Sequence, residues 1–340
     1  MAQEIQANSK KRIEWIDIAK AVTIILMILG HDVERGTSTR ELIFSFHMPL
    51  FIVLSGYTYK LEKNCAKAWK STCKDFTRLV IPVFVVTILE IILVCLKNVN
   101  FEMEFIKSLI VTELKSLFWA SGIDLNNVPA IGVIWFLLSL FWLRVIVRIV
   151  ILLFEERSVP YILYGLSFLG ILLGNSTRLP QNFDVVLTMP FFFVTGLLWR
   201  EYEDFVRKYE LQLFVVSLVG LSIFLYYDVF IEMAMRSYPM GLLCFVEGCM
   251  GTFVVCKLSE KILELPFVSK ILSSIGQGTL TILCIHHFDV YTMQYWYNDN
   301  LIVRHMLRIF VVLFIFVIIK ISKKLVVDTL IHKYEEVTKK

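Results

Sequence analysis

Residues 12–31 read Arg-Ile-Glu-Trp-Ile-Asp-Ile-Ala-Lys-Ala-Val-Thr-Ile-Ile-Leu-Met-Ile-Leu-Gly-His. From Ile16 to Gly30 everything is apolar except Asp17, Lys20 and Thr23. A bilayer core of about 30 Å takes around 20 apolar helical residues, with roughly 17–25 the usual range. The run therefore reads as a membrane-spanning helix that carries charge where charge is costly. A cleaved leader is not expected, because Asp17 and Lys20 fall in its first turns and no small-residue cleavage site follows.

Working outward, nine more candidate runs follow, several at the short end of that range: approximately 42–59, 79–97, 130–154, 159–174, 185–200, 211–229, 238–257, 271–290 and 303–322. The expectation is an all-α polytopic membrane protein of about ten transmembrane helices. Composition agrees: of 340 residues, 57% are hydrophobic and 19% charged, against roughly 45–50% and about 25% in soluble domains. A net charge of +4 is too small to argue for a nucleic-acid partner. Lys and Arg number 24 in one set of alternating loops and 7 in the other, which by the positive-inside rule sets both termini in the cytoplasm. The organisation expected is a cytoplasmic tail at 1–15, a membrane domain at 16–322 and a basic cytoplasmic tail at 323–340. The largest piece outside the spans is 98–129, where Ile106, Ile110, Leu114, Leu117 and Phe118 recur at helical spacing, as in a short helix lying on the outer surface. No internal repeat of the transporter kind is visible. The seven cysteines show neither a zinc spacing nor a disulfide framework and read as packing residues.

An ionisable group inside a span costs at least about 2.5–3.5 kcal/mol at the centre on insertion scales, which makes it a functional candidate. Lys20 and His31 are eleven residues apart, so at 100° per residue they lie about 20° from one face, with Asp17 about 40° to the other side. The second run carries His47 at a similar depth, with Pro49 two residues on and Gly56 suited to close helix packing. His286 and His287 lie near the outer end of the ninth run, and Glu247 near the middle of the eighth. Four of the six histidines thus converge in the outer half, with one carboxylate near them. Plainer roles are open to the same residues: interfacial positions for His286 and His287, a buried structural pair for His47 or Glu247, and mutual pairing for Asp17 and Lys20. Lys20, Arg304 and Arg308 also have the reach to snorkel.

The run from Arg12 through Asp17 and Lys20 to His31 resembles the acyltransferase family 3 membrane proteins, as do Ser45-Phe-His47-Met-Pro-Leu-Phe51 and Ser55-Gly-Tyr57. It looks most like the subgroup of fucose 4-O-acetylase-like sugar O-acetyltransferases. Lys20 with ten residues before His31 is similar to the family's basic-X10-His motif. Arg78 matches the second arginine of an Arg-x-x-Arg motif, whereas Asp75 stands in place of the first, with Lys74 beside it. Trp135-Phe136 and His286 extend the likeness. The resemblance implies transfer of an acetyl or other acyl group from cytoplasmic acyl-CoA to a hydroxyl of a surface or lipid-linked glycan. It further implies a multi-pass protein of a bacterial plasma (inner) membrane, without a metal and without the SGNH hydrolase-like domain that many relatives append. In that scheme His31 is the general base or a transient acyl carrier, with His47 as its partner. Asp17, Lys20, Lys74 and Arg78 serve the donor side, and Trp135, Glu247 and His286 the acceptor side or cavity wall. A transporter or flippase of a small polar or lipid-linked substrate explains the intramembrane charges equally well, but leaves the His31 and His47 motifs unexplained. An unrelated membrane-bound O-acyltransferase and a membrane scaffold or sensor leave more unexplained still.

Overall fold

The computed structural model describes residues 12–97, 102–126, 128–174, 176–289 and 300–338. Expectations that fall on 1–11, 98–101, 127, 175 and 290–299, and on Lys339 and Lys340, lie outside the described residues. Each apolar run falls on a helix or a bent helix pair. The first two runs form α1 (Glu14–Gly30) and α2 (Ser38–Tyr57). Helix α3 (Cys65–Asp75) passes through a π turn at Phe76–Val80 into α4 (Ile81–Lys97), and α5 (Met103–Trp119) follows. Next come α6 (Trp135–Leu153), α7 (Val159–Gly174), α8 (Phe183–Val186) and α9 (Pro190–Glu201). The remainder are α10 (Glu203–Lys208), α11 (Glu210–Tyr226), α12 (Leu242–Ile262), α13 (Pro266–Gly276), α14 (Thr279–His287) and α15 (Leu301–Thr338). Among the described residues no strand forms, only two isolated bridges.

By length and apolar content five helices can cross a membrane, or seven if each of two bent pairs counts as one span. One pair joins Pro180–Val186 to α9 with a 52° bend, and the other joins α13 to α14 with a 62° bend. The runs outside that set are α1, α2 and α11. Both α1 and α11 have 17 residues, α1 carries Glu14, Asp17 and Lys20, and α2 interrupts its apolar run with Ser45, His47, Pro49 and Ser55.

Position explains how α1 and α2 tolerate those groups. Helix α1 packs against α2, α12 and α13, and α2 against α1, α9 and α12, so both lie inside the bundle. The outer helices do the opposite. Phe84, Ile88 and Ile92 of α4, Val215 and Val219 of α11, and Phe310 and Phe314 of α15 are exposed, an apolar surface far larger than water tolerates and suited to lipid. This is a multi-pass helical membrane protein.

Close helix approach is built in at two glycines. A Cβ on Gly56 would stand 2.0 Å from the Phe193 carbonyl oxygen, and one on Gly196 2.0 Å from that of Val53, so α2 and α9 touch backbone to backbone. The helix expected within 98–129 is present as α5. Two expectations differ. Arg144 and Arg148, counted with the loop charges, lie inside α6, where a buried carboxylate offsets them. The last helix does not stop at 322 but runs unbroken to Thr338, since no Pro or Gly interrupts 303–338 and Lys and Glu are good helix formers.

Candidate active site

A cavity of about 420 Å³ runs among α1, α2, α6 and the bend between α13 and α14, within the size range of small-molecule sites. Arg12, Lys20, Arg78 and Arg144 line one end, and Arg35, Arg40 and Glu232 the other. His31, His47 and Trp135 lie among its lining residues. The eleven-residue spacing therefore does bring Lys20 and His31 to one cavity, about 16 Å apart along α1 at 1.5 Å per residue.

At the cationic end Asp17 is buried and stays out of the cavity wall. It bonds Arg12 and lies 3.6 Å from Lys20, so the expected pairing forms while both cations still face the cavity. Close packing fixes Asp17 from behind: a Cβ on Gly276 would stand 1.8 Å from its carbonyl oxygen. Lys74 is exposed and does not line the cavity. Asp75, standing where the motif has an arginine, is buried and held by two arginines one turn apart on α6. Arg144 donates from Nη1 to Oδ1 at 2.6 Å, and Arg148 binds Oδ2. Arg144 also donates from Nε to Ser55 Oγ at 3.3 Å and lines the cavity, so α6 supplies the second cation that α3 lacks.

His31 caps the C-terminus of α1. Its ring meets the Phe44 ring at 5.1 Å and the His286 ring at 5.1 Å. His47 Nδ1 lies 3.2 Å from the Ile43 carbonyl and 3.1 Å from that of Phe44. Carbonyls only accept, so Nδ1 carries the proton and Nε2 keeps its lone pair. Phe44 stands against both His31 and His47, its ring 4.6 Å from that of His47. Arg40 lies over Phe44, 4.1 Å from the ring centroid, and is anchored to the Gly30 carbonyl at 2.8 Å and to Glu232 at 3.3 Å.

His286 is buried behind His31 and does not line the cavity. The 62° bend at the end of α13 aims α14 so that His286 reaches the end of α1. His286 Nδ1 lies 2.6 Å from Asp289 Oδ2, which also accepts from Arg308 Nε at 2.9 Å. Arg308 continues to Asp32, whose other oxygen lies 3.1 Å from His305 Nδ1. His287 Nε2 faces elsewhere, 3.0 Å from Glu90 Oε2. Both histidines are thus buried and carboxylate-bound. Trp135 lines the cavity with its ring edge against Gly122, where a Cβ would stand 2.7 Å away. Glu247 is fully buried in α12 but apart from the cavity, and among the described residues neither of its oxygens has a hydrogen-bond partner.

Sequence reasoning missed Asp32, Arg40, Arg144 and Asp289 as parts of the site. Asp289 was legible, three residues after His286 and so on the same helical face. The others come together only through tertiary packing.

Helices that meet lipid outside, and imidazoles and cations that share one cavity inside, define a membrane-embedded protein equipped for acid–base chemistry. A family model described as an acyltransferase domain, that of acyltransferase family 3, matches residues 13–322, and the chain belongs to this family: it is a membrane acyltransferase. No curated protein and no solved structure matches the chain.

Proposed function

We propose that the protein moves an acetyl group from acetyl-CoA, entering from the cytoplasm, to a hydroxyl of a surface or lipid-linked glycan on the other side of a bacterial inner membrane. In this reading the domain spans 16–322 with ten crossings and cytoplasmic termini, which the asymmetry of Lys and Arg supports, still 22 to 7 with Arg144 and Arg148 of α6 left out. One observation carries it. A single cavity joins a cluster of four cations to His31, about 16 Å from Lys20 along α1, and to His47 of α2. The donor's phosphates meet Arg12, Lys20, Arg78 and Arg144, and the narrow pantetheine arm extends along α1 to His31.

His31 takes the proton of the acceptor hydroxyl as its oxygen attacks the thioester carbonyl. The tetrahedral intermediate collapses, the carbon–sulfur bond breaks, and the departing thiolate recovers the proton from His31. Net, one ester forms, one thioester is lost and free CoA leaves. His47, with its proton fixed on Nδ1, offers Nε2 as an acceptor that orients the sugar hydroxyl. Asp17 holds Arg12 and Lys20 in place and is too far from His31 to relay a proton: about 21 Å separates them along α1. Trp135 supplies an apolar wall on the acceptor side.

The test is label transfer in nanodiscs with radiolabelled acetyl-CoA, a mixture of lipid-linked and surface glycans, and His31→Ala in parallel. Acceptor-dependent transfer lost in the variant is the expected result. CoA release at a burst without acceptor would make His31 an acyl carrier instead. Wild-type turnover by a well-folded His31→Ala protein, or sugar counterflow without CoA, would overturn the reading.

A further inference from the structure

His31 faces the cavity, and His286 lies behind it, off the cavity wall. The His286 ring is 5.1 Å away, inclined at 46° and buried. One carboxylate oxygen of Asp289 takes both His286 Nδ1 and Arg308 Nε, at 2.6 and 2.9 Å. Arg308 is itself held by Asp32, next to His31 in the chain. The network thus closes on itself, from the end of α1 through α14 to α15 and back.

A carboxylate bound by a guanidinium remains an acceptor. It therefore fixes the proton of His286 on Nδ1 and leaves Nε2 with a lone pair. From this we infer that His286 and Asp289 are positioning residues for His31, acting as a buried relay in which His286 Nε2 accepts from one ring nitrogen of His31. That bond holds the other nitrogen of His31 unprotonated and turned to the cavity. It does for His31 what an orienting carboxylate does for a base histidine, with one imidazole interposed. When His31 takes the hydroxyl proton, the proton on its far nitrogen shifts toward His286 Nε2, and Asp289 stabilises the resulting charge without itself being protonated. The shift reverses when the CoA thiolate is protonated, so no proton is gained or lost by the relay. Arg308, beside Asp289 and Asp32, holds both carboxylates in register. This inference rests on the acyl-transfer reading, and its tests separate the two.

The first measurement is kcat and KM for acetyl-CoA in nanodiscs for the wild type, Asp289→Asn, Asp289→Glu and His286→Asn. His286→Asn keeps a donor at the Nδ1 position for Asp289 yet has no acceptor at the Nε2 position that faces His31, which separates the relay from the bond to Asp289. We expect kcat to fall at least tenfold in Asp289→Asn and His286→Asn, with KM within twofold of wild type and partial rescue in Asp289→Glu. The second measurement needs no acceptor: the rate at which diethyl pyrocarbonate modifies His31, read by mass spectrometry of its peptide. That rate should drop several-fold in both relay variants while their elution on size exclusion matches wild type. Unchanged kcat, or unchanged His31 labelling, in folded Asp289→Asn protein overturns the inference. A wild type without transfer activity overturns the acyl-transfer reading instead, and the labelling rate then still decides whether the relay orients His31.

Discussion

Gly276→Ala is the substitution whose consequence follows most directly from the geometry. The added methyl would stand 1.8 Å from the Asp17 carbonyl oxygen and 2.5 Å from its carbonyl carbon. Carbon atoms at such positions need at least 3.0 Å, so the backbones of α1 and α13 must part by about 1.2 Å or more. No side chain can absorb this, because the obstacle is main chain. Overpacking of this kind costs about 1–3 kcal/mol. The displacement also reaches the site, since α14 follows α13 across the bend and carries His286 against His31. A misplacement of about 1 Å is enough for a loss of about 100-fold in rate. The assay is kcat for acyl transfer in nanodiscs alongside thermal unfolding in detergent. Gly165→Ala is the control, because its Cβ meets nothing within 4 Å and Ala in a helix is favoured over Gly by roughly 0.5–1 kcal/mol. A Gly276→Ala protein with wild-type kcat and melting temperature would refute the reasoning.

Asp184→Ala should destabilise the fold by about 3–5 kcal/mol, as removal of one partner of a buried ion pair does. It would strand Arg236, whose Nε lies 2.5 Å from Asp184 with both side chains at 0–1% exposure. Denaturant titration in mixed micelles measures the loss. Glu113, on α5, which is not among the helices long and apolar enough to span a membrane, has its carboxyl pushed up to about 7 by burial first and by the neighbouring Glu90 second. A raised carboxyl favours the folded state while protonated, so its stabilisation is complete below the ordinary glutamate range and is lost as pH rises through about 7. Melting temperature between pH 5 and 8 should therefore slope downward in the wild type and less so in Glu113→Gln. Arg78→Ala removes one of four cations from the proposed donor end and should raise KM for acetyl-CoA five- to tenfold, about 1.0–1.4 kcal/mol, with little change in kcat.

The helical, membrane-embedded character was legible because hydrophobic runs of span length have few other physical explanations. The shared face of Lys20 and His31 was legible too, since both lie on one helix and the angle between them depends only on helix geometry. The partner of His31 was not. Periodicity along α2 puts His47 at the right depth, but whether its ring reaches His31 depends on Phe44, a residue that reads as one more apolar side chain. The bend after Gly276 reads merely as Gly-Gln-Gly, yet its direction decides that His286 meets His31. Glu247 shows the limit from the other side: depth in the membrane suggested the cavity, but α12 turns it toward the packed interior. Lys74 is four residues from Arg78, only about 40° away on an uninterrupted α-helix, but the π turn at Phe76–Val80 changes the register between them, and Lys74 stays exposed while Arg78 lines the cavity.

The pairing of Asp75 with α6 makes positions 75, 144 and 148 a single unit of inheritance. An arginine restored at 75 would face Arg144 and the buried Arg148 and be selected against until Arg148 changed, whereas Arg148 lost alone would leave Asp75 leaning on Arg144. In a family alignment these sites should therefore covary in sign. A Asp75→Arg, Arg148→Asp double exchange should outperform either single change, because the charge would have crossed the helix interface while its total at this end of the cavity stayed the same.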